Sequence, residues 1–100
     1  GLMWHRSDEL PMWEPIPIHN GELEDWSAGW TFQVLIKSAS TVVLEKTTDI
    51  TGGSDGTVLV AWSLGDLDIT PGRYRLLLIG TRTSDDYEWT IEDDITIVSR

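Results

Sequence analysis

The amino-acid sequence predicts an all-β fold, an antiparallel β-sandwich of about seven strands with an extended N-terminal arm. Three observations predict it. Apolar and polar residues alternate at period two in several separate stretches, as half-buried strands require. Turn-forming groups such as Asn20-Gly21, Ser38-Ala39-Ser40, Asp55-Gly56, Pro71-Gly72 and Thr83-Ser84-Asp85-Asp86 punctuate those stretches at intervals of roughly 8 to 14 residues. No convincing helix of about ten residues is present.

Composition narrows the class. A chain of 100 residues is one domain of ordinary size, able to bury roughly two-thirds of its unfolded surface. Residues 1–11 are read as the extended arm and residues 12–100 as a single β-sandwich domain. Cysteine is absent, so disulfides and thiolate metal sites are excluded. No apolar run approaches the ~20 residues of a membrane span, and the first residues lack the basic-then-apolar pattern of a signal peptide. Gly1-Leu2 reads either as an addition ahead of Met3 or as native sequence. A net charge of −10 makes nucleic acid and anionic membranes unfavourable partners, since phosphate recognition needs a basic surface.

Each element follows from its residues. Arg6-Ser7-Asp8-Glu9 is polar and Pro11 ends any helix begun there. Trp4 therefore sits in an extended arm, packed on its own domain or inserted into a neighbour. Residues 12 to 19 alternate, with Trp13, Pro15 and Pro17 on one side. Two prolines at i and i+2 remove ladder donors, which places this strand at a sheet edge. Residues 22 to 29 form an acidic connection or a short helical turn. Residues 30 to 37 are a strand with Trp30, Phe32, Val34 and Ile36 inward. Residues 41 to 46 return as its hairpin partner, with Val42 and Leu44 inward and Glu45 outward. The chain then runs through Ile50 to the loop Thr51-Gly52-Gly53-Ser54-Asp55-Gly56.

Residues 57 to 63 place Val58, Val60 and Trp62 on one face. Residues 63 to 68 read as a one-turn crossing that plugs the core end with Leu64 and Leu67. After Thr70-Pro71-Gly72 comes the most strongly specified strand, residues 73 to 81. Its Tyr74, Leu76 and Leu78 face one way; Arg73, Arg75, Leu77 and Ile79 face the other. In the last strand, residues 87 to 98, Trp89, Ile91, Ile95 and Ile97 share a parity with Asp93. A charge pointing into a core needs a partner. The expectation is therefore that the strand leaves the sheet near Asp93, or that a bulge or kink at Glu92-Asp93-Asp94 breaks its register. Strand count and spacing point to an immunoglobulin-like sandwich, with a small barrel as the alternative.

No catalytic set emerges. Nucleophilic catalysis needs Ser or Cys with a His base and an orienting acid, and His5 and His19 sit in the arm and at a turn. The glycines of residues 51–56 lack the Lys and following helix of a phosphate loop. The carboxylate pairs sit in turns or on opposite strand faces. Asp66/Asp68 meeting Asp85-Asp86 is a weak calcium candidate; no cofactor or metal is otherwise expected. Six tryptophans offer a further possibility. Trp30, Trp62 and Trp89 share parity with core aliphatics, whereas Trp4, Trp13 and Trp26 are read as freer rings and as candidate interface residues.

Several segments carry a resemblance. They are Arg6-Ser7-Asp8-Glu9-Leu10-Pro11 with Ile16 and Ile18, the strand Trp30 to Ile36, Val42 to Glu45, and Asp55-Gly56-Thr57-Val58. Further along are Leu64 with Leu67, Gly72-Arg73-Tyr74 and Ile95-Thr96-Ile97-Val98. Together they resemble the immunoglobulin-like domain of tailed-bacteriophage virion proteins, including the N-terminal domain of phage baseplate upper proteins. One departure is Asp25-Trp26-Ser27-Ala28-Gly29, where that family has a Leu-Thr-Gly connection. The resemblance implies a non-enzymatic structural part of a virion (tail, baseplate or head–tail region). Its partners would be other virion proteins and copies of itself, met through the arm and edge strands. The alternative is a carbohydrate-binding or host-adhesion module using exposed Trp.

Overall fold

The computed structural model describes residues 2–5, 12–17, 24–62 and 69–98. Among these the chain is all-β, with no helix, in eight strands. They are β1 (Leu2–His5), β2 (Met12–Trp13), β3 (Trp30–Ser38), β4 (Thr41–Lys46), β5 (Ile50–Gly52), β6 (Val58–Ala61), β7 (Gly72–Arg82) and β8 (Glu88–Val98). A five-stranded sheet has the order β1-β8-β7-β3-β4 and a three-stranded sheet the order β2-β6-β5. β1 runs parallel to β8; the other pairs are antiparallel. The expected crossing at residues 63–68, with Leu64 and Leu67, lies outside the described residues, as does Asn20-Gly21.

The core lies between the two sheets. The larger sheet contributes Val34, Ile36, Leu76, Leu78, Ile95 and Ile97, the smaller one Trp13, Val58 and Val60, with Trp62 just beyond β6; all are buried. These are the alternate positions of their strands, as the period-two pattern predicts. Burial of each aliphatic side chain contributes about 1.5–3 kcal/mol. Tyr74, Trp30, Phe32 and Trp89 are half-buried against this core. Of the strand expected over residues 12–19, only Met12–Trp13 pairs; Pro15 and Pro17 follow it outside the strand, and residues 18–19 lie outside the described residues. β2 is the outer strand of the smaller sheet, and Val58 N–H donates to the Pro15 carbonyl at 3.0 Å.

Three expectations are corrected. Val42 does not face the core. Ile36 pairs with Leu44 but Lys37 pairs with Val42, so Val43 is an extra residue. That bulge reverses the side-chain parity between Val42 and Leu44. Val42 is therefore exposed, and the inward positions are taken by Leu44 and Lys46. Lys46 buries its stem and bridges to the more exposed Asp49 at 3.6 Å, as long cationic side chains do.

The second correction concerns β8, which neither leaves the sheet nor bulges at Asp93. Its register with β7 is continuous from Gly72↔Ile97 to Thr81↔Glu88. Asp93 does share the core parity, opposite Leu76, but β1 covers β8 only from Ile95 onward. Asp93 thus lies where β8 has become a sheet edge. It keeps partial exposure and accepts the Asp94 N–H at 2.8 Å. The third correction is to residues 24–29, where Trp26 is buried rather than part of a solvated loop.

Two glycines allow close approach. Gly80 pairs with Trp89, and a Cβ there would lie 2.3 Å from the indole. At Gly52 a Cβ would lie 1.9 Å from the Trp26 carbonyl oxygen. Trp62→Ala is expected to cost about 3–5 kcal/mol, and Gly80→Ala about 1–3 kcal/mol by overpacking. Urea denaturation measures both; an unchanged midpoint for either variant contradicts the packing described.

Candidate interaction surface

The three tryptophans expected as freer rings take different places. Trp26 is 1% exposed and Trp13 8% exposed, so neither offers a ring to an outside ligand. The reason is local. Trp26 N–H donates to the Gly53 carbonyl at 3.0 Å, and its indole Nε1–H donates to the Gly56 carbonyl at 3.2 Å. The β5–β6 loop thus satisfies both polar groups and lets the ring enter the core. Trp4 lies on β1, opposite Ile97, and its side chain is outside the described set. His5 ends β1; its side chain and all of His19 also fall outside that set.

An aromatic cluster surrounds Trp26. Its ring meets Trp30 at 4.9 Å and Trp89 at 5.1 Å between centroids, both edge-on. Trp30 continues to Tyr87 at 6.4 Å. At the surface end, the Arg82 guanidinium lies 5.0 Å from the Tyr87 ring centroid and 5.8 Å from that of Trp30, within cation–π range. Asp85 holds that guanidinium with two hydrogen bonds of 2.9 Å, from Nε and Nη2. The Tyr87 N–H also donates to Asp85, at 3.1 Å. One carboxylate therefore closes the β7–β8 hairpin and orients the cation over the rings. Sequence reasoning read this loop as a polar turn and a calcium candidate, not as a clamp on Arg82. The usable signal was an Arg ending one strand, an Asp three residues later and a Tyr just before the next.

Other acidic groups organise turns. Asp25 accepts the N–H and hydroxyl of Ser27, and Asp55 does the same for Thr57. The hydroxyl bonds foremost, then the backbone bonds, hold both carboxyls below the ordinary range. Asp66 and Asp68 fall outside the described residues. Among those described, no group of three or more His, Cys, Asp or Glu is placed to hold a metal ion.

The exposed edges are the remaining surface. β1 and β4 bound the larger sheet and β2 and β5 the smaller. Among the described residues β4 pairs with β3 from Val34 to Ser38, and Trp30–Gln33 form the start of β3. A cavity of about 470 Å³ opens beside it, lined by Trp30, Thr31, Phe32, Gln33, Thr47, Ile50 and Thr81. Comparison with family models, curated proteins and solved structures gave no match.

The hairpin clamp has a pH signature. The Arg82 hydrogen bonds foremost, then the Tyr87 N–H, push the Asp85 carboxyl down to about 2 from an ordinary 3.8. A depressed acid stabilises the fold above its unfolded value and loses that contribution as pH falls through its folded value. The wild-type melting temperature should therefore fall further than that of Asp85→Asn between about pH 4 and pH 2. The exposed pair makes the difference small. An NMR titration midpoint for Asp85 near 3.8 would contradict the clamp.

Proposed function

We propose that the chain is a non-enzymatic structural module of a bacteriophage virion, an immunoglobulin-like domain that joins neighbouring proteins through its N-terminal strand and sheet edges. Two features support the finer fold. Strands β8, β7, β3 and β4 follow one another as the G, F, C and C′ strands of an immunoglobulin sandwich do, and β2, β6 and β5 as B, E and D. Tyr74, near the start of β7, donates its hydroxyl proton to the Thr70 carbonyl. That is the tyrosine-corner arrangement of such domains.

The observation that carries the assembly reading is β1. It is a four-residue strand whose one strand neighbour among the described residues is β8, in parallel pairing. The same β8 edge on an adjacent copy offers the same hydrogen bonds, so exchange between copies costs little. The phage assignment rests on the short motifs around Asp55-Gly56 and Gly72-Arg73-Tyr74. The carbohydrate reading loses its basis for Trp13 and Trp26, whose rings are buried.

Sedimentation of the full chain and of a chain lacking residues 1–11 tests the proposal. Self-association of the first that is lost in the second is expected. A full chain that stays monomeric at high concentration and binds no neighbour encoded beside it would overturn the reading.

A further inference from the structure

We propose that the outer face of the five-stranded sheet docks a second copy of this chain, sheet on sheet, about a two-fold axis that runs along β7. This face is separate from the arm and the sheet edges above, and it does not depend on them.

Strand parity builds the face. Val34, Ile36, Leu76 and Leu78 point into the core, so Gln33, Leu35 and Lys37 of β3 and Arg73, Arg75, Leu77 and Ile79 of β7 point outward. Thr90, Glu92 and Asp94 of β8 stand opposite Ile79, Leu77 and Arg75. On the other side, Glu45 and Val42 of β4 stand opposite Leu35 and Lys37. The solvated face of an antiparallel sheet is ordinarily polar. Here Leu35 pairs with Leu77, and Ile79 is two residues on; all three lie outside the core cluster. Val42, 46% exposed, adds to the same apolar area.

Charge names the occupant. At −10, two copies repel each other over most of their surface. Among the described residues this face holds three of the seven Lys and Arg side chains, Lys37, Arg73 and Arg75, against four carboxylates, Glu45, Glu88, Glu92 and Asp94. It is therefore nearly neutral, and two copies meet on it with little repulsion. A strongly basic or acidic partner finds no excess of opposite charge there.

The signs are also ordered across the strands. Lys37 stands opposite Arg75, and Arg75 opposite Asp94, in one row. A cation thus lies one strand to one side of β7 and an anion one strand to the other. Arg75 is bridged to Glu92 at 2.9 Å. Neither Lys37 nor the Asp94 carboxylate has an ion pair among the described residues, and like charges directly opposite, as at Lys37 and Arg75, are unfavourable. A two-fold axis along β7 keeps each row level and exchanges its two sides. It carries Lys37 to Asp94 of the second copy, and Asp94 to the second Lys37. In the rows beyond, Leu77 and Ile79 each meet their own counterparts. The result is an apolar centre with ion pairs at the rim, as interfaces are built. Arg73 has room to turn off the axis, into a cavity of about 350 Å³ that it lines with Asp94 and Thr96.

Sedimentation of the full chain and of three charge variants tests the face. Lys37→Asp and Asp94→Lys should each weaken self-association about tenfold or more, because each sets like charges together twice in a dimer. The double exchange should restore most of it, since the pairs re-form with their signs reversed. Leu77→Lys, on the axis, should abolish it. Single variants that associate like the parent, or a double exchange no better than the singles, would overturn the proposal. Association that survives these changes but is lost without residues 1–11 refutes this face and leaves the arm joint standing. A chain that stays monomeric at high concentration refutes this face too. So would NMR shifts at Leu35 and Leu77 that follow an added basic or acidic peptide rather than the chain's own concentration, which means a different occupant.

Discussion

The indole of Trp26 joins the two halves of the sandwich. Its polar edge is fixed by the β5–β6 loop, through the Gly56 carbonyl. Its faces and edges meet Trp30, Phe32 and Trp89 of the larger sheet. The Gly52 backbone fits against the Trp26 carbonyl only because it carries no Cβ. Gly80 makes the matching concession on the other side, where the Trp89 ring lies across it. With no disulfide to tie the sheets, aromatic packing of this kind takes the structural load. Edge-on ring pairs add about 0.5–1.5 kcal/mol each beyond the area they bury.

Burial of one ring has consequences at the surface. Trp26 places Trp30 edge-on at the rim, where Tyr87 and Arg82 complete the stack. The Asp85 carboxylate then fixes the guanidinium and the hairpin together. The chain runs without interruption from a buried indole to a solvated ion pair. A polar loop is thereby made part of the same packed unit as the core.

How much of this was legible depended on whether local pattern decided the outcome. The strands β3, β6 and β7 were legible because their inward residues alternate without exception over the buried stretch: Val34 and Ile36, Val58 and Val60, Leu76 and Leu78. Val42 was misplaced because one extra residue in β4 shifts parity, and nothing in Thr41-Val42-Val43-Leu44 marks which valine is extra. Asp93 was misread because a charge at a core parity is tolerable where the flanking strand has ended. That depends on where β1 stops, which is tertiary information. Trp26 was read as a freer ring because its burial depends on carbonyls some thirty residues on, at Gly53 and Gly56. The crossing between β4 and β5 was invisible for the same reason, since only long-range pairing puts the two strands in different sheets.

The same crossing shapes the margins of the larger sheet. A sandwich must pass its chain from one sheet to the other, and here it does so between Lys46 and Ile50. The left-handed Asp49 and its bridge to Lys46 make the passage short. A short passage leaves β4 paired with β3 from Val34 to Ser38 only. At the opposite margin the larger sheet ends in β1, whose one strand neighbour among the described residues is β8. Natural sheets usually blunt such margins with charge, proline or bulges. This chain does so just after β2, with Pro15 and Pro17, and at β4, with its bulge.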